Sequence, residues 1–319
     1  MRTNHNSEVY KKMASFAKVE KQAHKLAVEM YRDGEISSLG TQRNYESCLK
    51  TFGEWLKWEL REDKVSLRDL TIEQAQNYLK ERAEQVGQKT LDQDRQALQK
   101  LLHHTGKLDE KTNLAVIKAD KQQDLHSRAY TAEQVKAIQE HQSDRNALAT
   151  ELAYKCGLRA HELLTIQKAE LQKADNRIDQ KNNDKLFHNE KFRGREGERY
   201  TVVGKGGLCR EISVPKELAD RLEQRKLSEP IITTDRKVKY EQHYDIGGGN
   251  KWSSSFNRAS NEVCSWSNGA HGLRHSYAQE RVSELQRKEN GDHSYEESKA
   301  IVSLEMGHFR ENITETYLR

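Results

Sequence analysis

The amino-acid sequence predicts a mainly α protein with a small β-sheet, built as two domains. Three observations lead there. Only two prolines occur, Pro215 and Pro230, so the first two-thirds of the chain can run as uninterrupted helices. Apolar side chains there recur at i, i+3 and i+4 rather than alternating. One pair of β-prone runs, 200–203 and 208–214, brackets the turn Gly204-Lys205-Gly206-Gly207 and reads as a hairpin. With domains of roughly 100–200 residues, a chain of 319 has room for two.

Helices are expected near 8–33, 41–60, 72–86 and 89–105. The second has Thr41 as its expected cap, with Tyr45, Leu49, Phe52, Trp55 and Leu56 along one face. Thr71 and Gln74 form a capping-box pattern at the start of the third, and Gly87 separates it from the fourth. These helices make a first domain over 1–108. A polar stretch over 109–128 reads as a linker, and 129–319 as the second domain. In the latter, Thr131 caps a new helix, and 144–167 carries a helical pattern broken at Cys156-Gly157. The run 173–199, rich in Asn, Asp, Lys and Arg, reads as a charged surface insertion. Gly247-Gly248-Gly249 marks a loop, after which the pattern is helical to the end.

The formal net charge is +4, from 54 basic and 50 acidic residues. This permits local basic patches without demanding a nucleic-acid partner. Cys48, Cys156, Cys209 and Cys264 are too far apart for a metal knuckle and read as reduced structural thiols. No stretch approaches the roughly 20 apolar residues of a membrane span, and the first residues lack an apolar targeting core. A cytoplasmic protein is the expectation. His103, His104 and His275 invite a metal reading, but further ligands at metal-binding spacing are missing, and no metal or other cofactor is expected.

Five short features of the second half stand in order: Gly157-Leu158-Arg159-Ala160-His161-Glu162, Gly204-Lys205-Gly206-Gly207, His271-Gly272-Leu273-Arg274-His275, Met306-Gly307-His308, and Thr316-Tyr317. Each has a bland reading alone. Arg159 can pair with Glu162 on a helix surface, Lys205 can decorate a turn, His271 and Arg274 can form a polar helix face, and Tyr317 can sit in a frayed end. Together and in this order they resemble the tyrosine recombinases, the phage integrase family. The resemblance is strong over 130–319 and extends more weakly to the first domain through Gly40, Thr41 and Tyr45. It implies an N-terminal helical core-binding (SAM-like) domain followed by an α+β catalytic domain. Met306 stands where the family usually has Leu, and 173–199 is longer and more charged than the pattern leads one to expect.

The chemistry accounts for the residue types. Attack on a phosphodiester builds negative charge on its non-bridging oxygens, which Arg159 and Arg274 can clamp bidentately. The phenol of Tyr317 is the expected nucleophile, and needs a cationic site and a base. Lys205, at a hairpin tip, is the expected general acid for the leaving 5′-oxygen. By resemblance, His271 assists proton transfer at Tyr317, His308 hydrogen-bonds the scissile phosphate, Glu162 supports the site, and a 3′-phosphotyrosine conserves the bond energy for rejoining.

The implied partners are double-stranded DNA with specific sites, a homo-tetramer on two synapsed sites, and a DNA-bending accessory protein. The expected location is with the nucleoid. In the first domain Arg43, Lys50, Lys89, Arg95 and Lys100 are candidates for phosphate contacts, with a solvated charged face as the competing reading. Two other functions are weighed: a type IB topoisomerase, and a DNA-binding accessory protein that does not cut.

Overall fold

The computed structural model describes residues 17–121, 126–175, 185–308 and 314–319, excepting the side chains of 185, 186, 188 and 290. The opening of the first expected helix (8–16) and residues 176–184 of the charged insertion lie outside the described residues. The chain divides into two compact units, 1–124 and 125–319.

The first unit holds α1 (Val19–Arg32), α2 (Leu39–Leu60), α3 (Ile72–Gln85) and α4 (Gln88–His104). Their apolar faces bury Leu26, Met30, Leu49, Phe52, Leu56, Leu98 and Leu101 in one core. Phe52, Trp55 and Tyr78 form an aromatic cluster with centroids 5.2–5.7 Å apart. Full burial of a side chain such as Phe52 contributes about 1.5–3 kcal/mol. Gly53 lets α1 and α2 approach, since a Cβ there would stand 2.4 Å from Val19 Cγ1. The capping box of Thr71 and Gln74 is present. Thr41 is not the cap of α2. The helix begins earlier, and Ser38 caps it by accepting from the Thr41 backbone N–H at 3.1 Å.

The expected linker is not free chain over its first part. Leu108 and Leu114 are buried in the first core, and Ile117 and Ala119 pack against it. Two glutamines of α4 satisfy the backbone of this segment. Gln99 accepts from Leu114 N–H at 3.0 Å, while Gln88 donates to Ile117 O at 3.0 Å and accepts from Ala119 N–H at 2.9 Å. The sequence hides this because the segment's few apolar residues are spaced as neither helix nor strand.

The second unit opens with α5 (Ala132–Glu140), started by the Thr131–Gln134 capping box, and α6 (Asp144–Cys156). Helix α6 is central, with Leu148, Ala149, Leu152, Ala153, Tyr154 and Cys156 all buried. The helical pattern read over 144–167 does not resume after Gly157. That residue takes φ +61° at the helix end, and a Cβ would stand 2.7 Å from the Tyr277 ring. The chain instead makes a single 3₁₀ turn at Glu162–Leu164 and enters β1 (Gln167–Lys168).

The expected hairpin is β2 (Glu198–Val203) and β3 (Cys209–Val214), antiparallel from Glu198↔Val214 to Val203↔Cys209, with β1 added beside β2. After α7 (Lys216–Glu223) comes a two-stranded ribbon that the sequence analysis missed: β4 (Lys226–Asp235) and β5 (Val238–Tyr244). No residue of β4 is buried, so it lacks the alternation that betrays a half-buried strand, and Pro230 sits where the register shifts. Helices α8 (Gly249–Cys264), α9 (Gly272–Leu285) and α10 (Tyr295–Glu305) follow; α8 packs Trp252 and Phe256 into the core with Tyr200, while α9 and α10 bury Tyr277, Ala278, Ile301 and Val302 in a second cluster with Tyr317.

Candidate active site

Helix α9 delivers two of the expected site residues, with His271 at its N-cap and Arg274 in its first turn. Gly272 brings the helix start against the chain entering the unit, where a Cβ would stand 2.5 Å from both the Arg128 carbonyl oxygen and the Tyr130 ring. Ser276 locks the contact, accepting from Tyr130 N–H and donating to Tyr130 O, both at 2.8 Å.

Arg274 is fully buried. Its Nη1 donates to the carbonyl of Gly157, and its Nη2 to Met306 O at 3.2 Å and His308 Nε2 at 3.1 Å. The helix end at Gly157 and the α10 end at Met306 thus supply acceptors that hold this cation. Burial and nearby Arg159 lower its pKa to about 10, which leaves it charged at neutral pH.

Glu162, also fully buried, is the counter-charge. It accepts from Arg159 N–H at 2.9 Å, from Arg159 Nη1 at 2.6 Å and from Arg210 Nη2 at 2.8 Å, with Arg274 Nη1 at 3.8 Å. Burial alone would raise its pKa. Arg210, Arg159 and Arg274 together outweigh that and hold the carboxyl well below the usual range. The bland pairing of Arg159 with Glu162 is therefore real, but it lies inside a three-arginine cluster. Arg210 of β3 is the member that sequence reading missed. It is 3% exposed and also donates to Glu305 O at 2.7 Å. Its one available signal was a charged side chain at an inward position of the hairpin.

His308 is 3% exposed and joins Arg274 to the segment carrying the phenol. A guanidinium has no acceptor, so Nε2 of His308 accepts from Arg274. Its proton then resides on Nδ1, which donates to Thr314 Oγ1 at 3.0 Å. The Nε2 atom that the resemblance would turn toward a phosphate is here engaged by Arg274. Burial, then Arg274 and Arg159, push the His308 pKa down to about 2.

Tyr317, 7% exposed, lies among three imidazoles. Ring centroids stand 5.2 Å from His308, stacked at 24°, 5.3 Å from His271 and 4.9 Å from His275. The Arg274 guanidinium lies over its ring at 5.4 Å. Desolvation, then Arg274 and His275, lower the His271 pKa to about 3 although the residue keeps an exposed edge, and burial with Arg128 brings His275 to about 4, so both rings are neutral at pH 7. The sequence offered His275 as part of the α9 motif and as a metal candidate, not as a neighbour of the phenol. Its Nδ1 is buried without a hydrogen-bond partner.

Lys205 stands apart from this cluster, exposed in the turn between β2 and β3. Lys205 and Arg159 line the same cleft. At the base of the turn, a Cβ on Gly204 would stand 3.0 Å from Glu162 Oε1 and 3.7 Å from Arg159 Nη1. Five expected residues, Arg159, Glu162, Arg274, His308 and Tyr317, thus form one connected group with His271 against the phenol, and Lys205 lies along the cleft from Arg159.

The first-unit candidates lie on α2 and α4. Arg95 is engaged within the unit, donating to Gln99 Oε1 at 3.2 Å and Leu114 O at 3.4 Å, and Lys50 pairs with Glu20. Lys89 is exposed at the start of α4, and Arg43 and Lys100 are part-exposed. His103 and His104 are held by Thr112 O at 2.9 Å and Glu35 at 2.8 Å. Among the described residues no group of three His, Cys, Asp or Glu is arranged to hold a metal ion, and no helix is long and apolar enough to cross a membrane.

The arrangement of helices and hairpin is the tyrosine-recombinase fold. Solved structures share it along most of the chain. XerH site-specific recombinase, in a pre-cleavage complex with difH substrate, matches with TM-score 0.55 and 16% identity, covering 94% of this chain and 81% of that one. A lambda integrase tetramer bound to a Holliday junction matches with TM-score 0.56 and 16% identity, covering 98% and 80%. Tn1549 transposon integrase in complex with transposon right end DNA gives 0.53 and 14%, covering 93% and 95%. At these identities the likeness is one of fold. No family model and no curated protein sequence matches the chain.

Proposed function

We propose that this protein is a site-specific DNA recombinase that cuts and rejoins strands through Tyr317. One observation carries the reading: the phenol lies under the Arg274 guanidinium, and Arg274 shares the buried Glu162 carboxylate with Arg159. Two fixed cations beside a phenol suit a phosphodiester, whose transition state gathers charge on the non-bridging oxygens.

In this reading the Tyr317 proton passes to His271, which is neutral in the free protein. The phenolate oxygen attacks phosphorus, the bond to the 5′-oxygen breaks, and the Lys205 ammonium protonates that oxygen. A 3′-phosphotyrosine and a 5′-hydroxyl result. Attack by a 5′-hydroxyl from another strand reverses the steps, and no external energy source is needed. Arg159 and Arg274 hold the phosphate throughout. Glu162 and Arg210 keep the guanidiniums in place, and His308 orients Arg274. The lambda integrase structure is described as a tetramer on a Holliday junction, which supports a tetramer on paired DNA sites as the working assembly. Exposed first-unit cations such as Lys89 would add phosphate contacts that position without reading sequence.

The test is a nicked duplex that loses its 5′-hydroxyl fragment on cleavage and so traps the covalent adduct. Wild type accumulates it and Tyr317→Phe does not. An adduct formed by the Phe variant overturns the assignment. Relaxation of any supercoiled plasmid regardless of sequence would replace recombinase by type IB topoisomerase.

A further inference from the structure

The three-stranded sheet and the β4–β5 ribbon leave between them an open cleft of about 680 Å³. The turn 204–207 with Lys205 forms one wall, Arg159 and His161 line the cleft as well, and Val238–Glu241 with His243 form the other wall. The ribbon gives little to the core, since β4 has no buried residue and exposes Ile231 and Ile232. It is nonetheless fixed. Asp235 at its tip accepts from Asn250 N–H at 2.9 Å, and Arg236 donates to Asn250 Oδ1 at 2.7 Å. Gly249 makes room for that clasp with φ +59°, because a Cβ there would stand 2.7 Å from Asp235 Cγ. Nearer the floor, the Tyr240 ring lies 6.4 Å from His161. A ten-residue strand that buries nothing yet is anchored at its tip presents a surface rather than completing a core.

That surface is cationic where it meets the candidate site. Arg159, Lys205 and Lys239 line the cleft against one carboxylate, Glu241, which sits 3.5 Å from His243. We propose that the β4–β5 ribbon is a second DNA-contacting wall, on which Lys239 holds a backbone phosphate of the strand whose scissile phosphate lies at Arg159, with Tyr240 against the adjoining sugar. The proposal rests on the reading of Arg159 as a phosphate clamp and adds a contact outside the six expected site residues. Opposite charge and continuity with Arg159 favour a nucleic-acid strand over a protein segment in this cleft.

The experiment measures duplex affinity against salt for wild type, Lys239→Ala and Lys226→Ala, the last a control at the far end of the same ribbon. Each phosphate contact contributes about 0.9 to the slope of log K on log salt. Lys239→Ala is expected to lower the slope by about 1 and to weaken specific and unrelated duplexes alike, while Lys226→Ala keeps the wild-type slope. A scan of single neutral methylphosphonates should find a position where Lys239→Ala costs nothing further. If Tyr317-dependent adducts form but Lys239→Ala retains the wild-type slope, the ribbon proposal alone is overturned, and the cleft passes to a partner other than DNA. If wild type binds no duplex and forms no adduct, the reading beneath it fails and the proposal falls with it.

Discussion

The side-chain amide of Gln279 donates to the carbonyl oxygen of Tyr317 at 3.2 Å and to that of Arg319 at 2.8 Å. Helix α9 therefore carries the cation that faces the phenol, Arg274, and also grips the backbone that presents it. This links the two within one chain.

Gln279→Ala should accordingly slow the covalent step. A displacement on the order of 1 Å at a reacting group can cost about a hundredfold in rate, and we expect a loss of about ten- to a hundredfold in single-turnover adduct formation at saturating DNA. Gln279→Glu, which replaces the donor by an acceptor, should be no better. A wild-type rate in Gln279→Ala would show that the grip has no part in presenting Tyr317.

Removing the charge of Glu162 should be among the most damaging single changes. Glu162→Gln leaves Arg159, Arg210 and Arg274 clustered without their buried counter-ion. Breaking a buried pair by removing one partner costs about 3–5 kcal/mol. Urea unfolding should register a loss of that order, and a loss below about 1 kcal/mol would mean that the cluster is far better solvated than its burial implies.

Acid should destabilise the second unit from near neutrality. His308 and His275 have folded pKa values of about 2 and 4, below the ordinary value of about 6.5. The unfolded chain therefore takes up protons first, and stability falls as pH drops below about 6.5. Each of these two buried rings adds a slope of about 1.4 kcal/mol per pH unit until its folded pKa is approached. His271, at the mouth of the site, is pushed the same way. The lowered carboxyl of Glu162 extends the trend to lower pH, since its stabilisation is present above the unfolded value and lost as pH falls toward the folded one. Urea midpoints at pH 7.5, 6 and 5 read the slope. His308→Asn should remove about one proton's worth, and a flat profile would contradict burial of His308 and His275.

Lys205 can be tested by its chemistry. If its ammonium protonates the leaving 5′-oxygen, Lys205→Ala should slow cleavage by about 10²–10⁴-fold. A substrate with sulfur in place of that bridging oxygen has a leaving group that needs no proton. Restoration of near-wild-type cleavage on that substrate supports the role, and equal impairment on both substrates removes it.

Much of the fold was legible because local rules carried it. The capping box at Thr71, the cap at Thr131, the helix break at Gly157 and the β2–β3 hairpin each depend on residues within a few positions of one another. The misses have separate causes. Ser38 replaces Thr41 as cap because neighbouring hydroxyls compete, and geometry decides between them. The segment around Leu114 joins the first core through α4 glutamines some 15 to 31 positions away in sequence. Strand β4 buries nothing and so leaves no alternating pattern, and β5 is buried only at Gln242 and Tyr244 near its end.

The sequence by itself determined which side chains the chemistry would need and in what order they occur, because their types and short-range contexts are covalent facts. Only the tertiary structure decided that Glu162 serves Arg210 as well as Arg159, that His308 accepts from Arg274 through Nε2, and that Tyr317 lies among three imidazoles. The relations that cross between elements join residues 34 to 48 positions apart, such as Arg274 to His308 and Glu162 to Arg210. They exist only where burial removes water and leaves each polar atom to find a partner inside the protein.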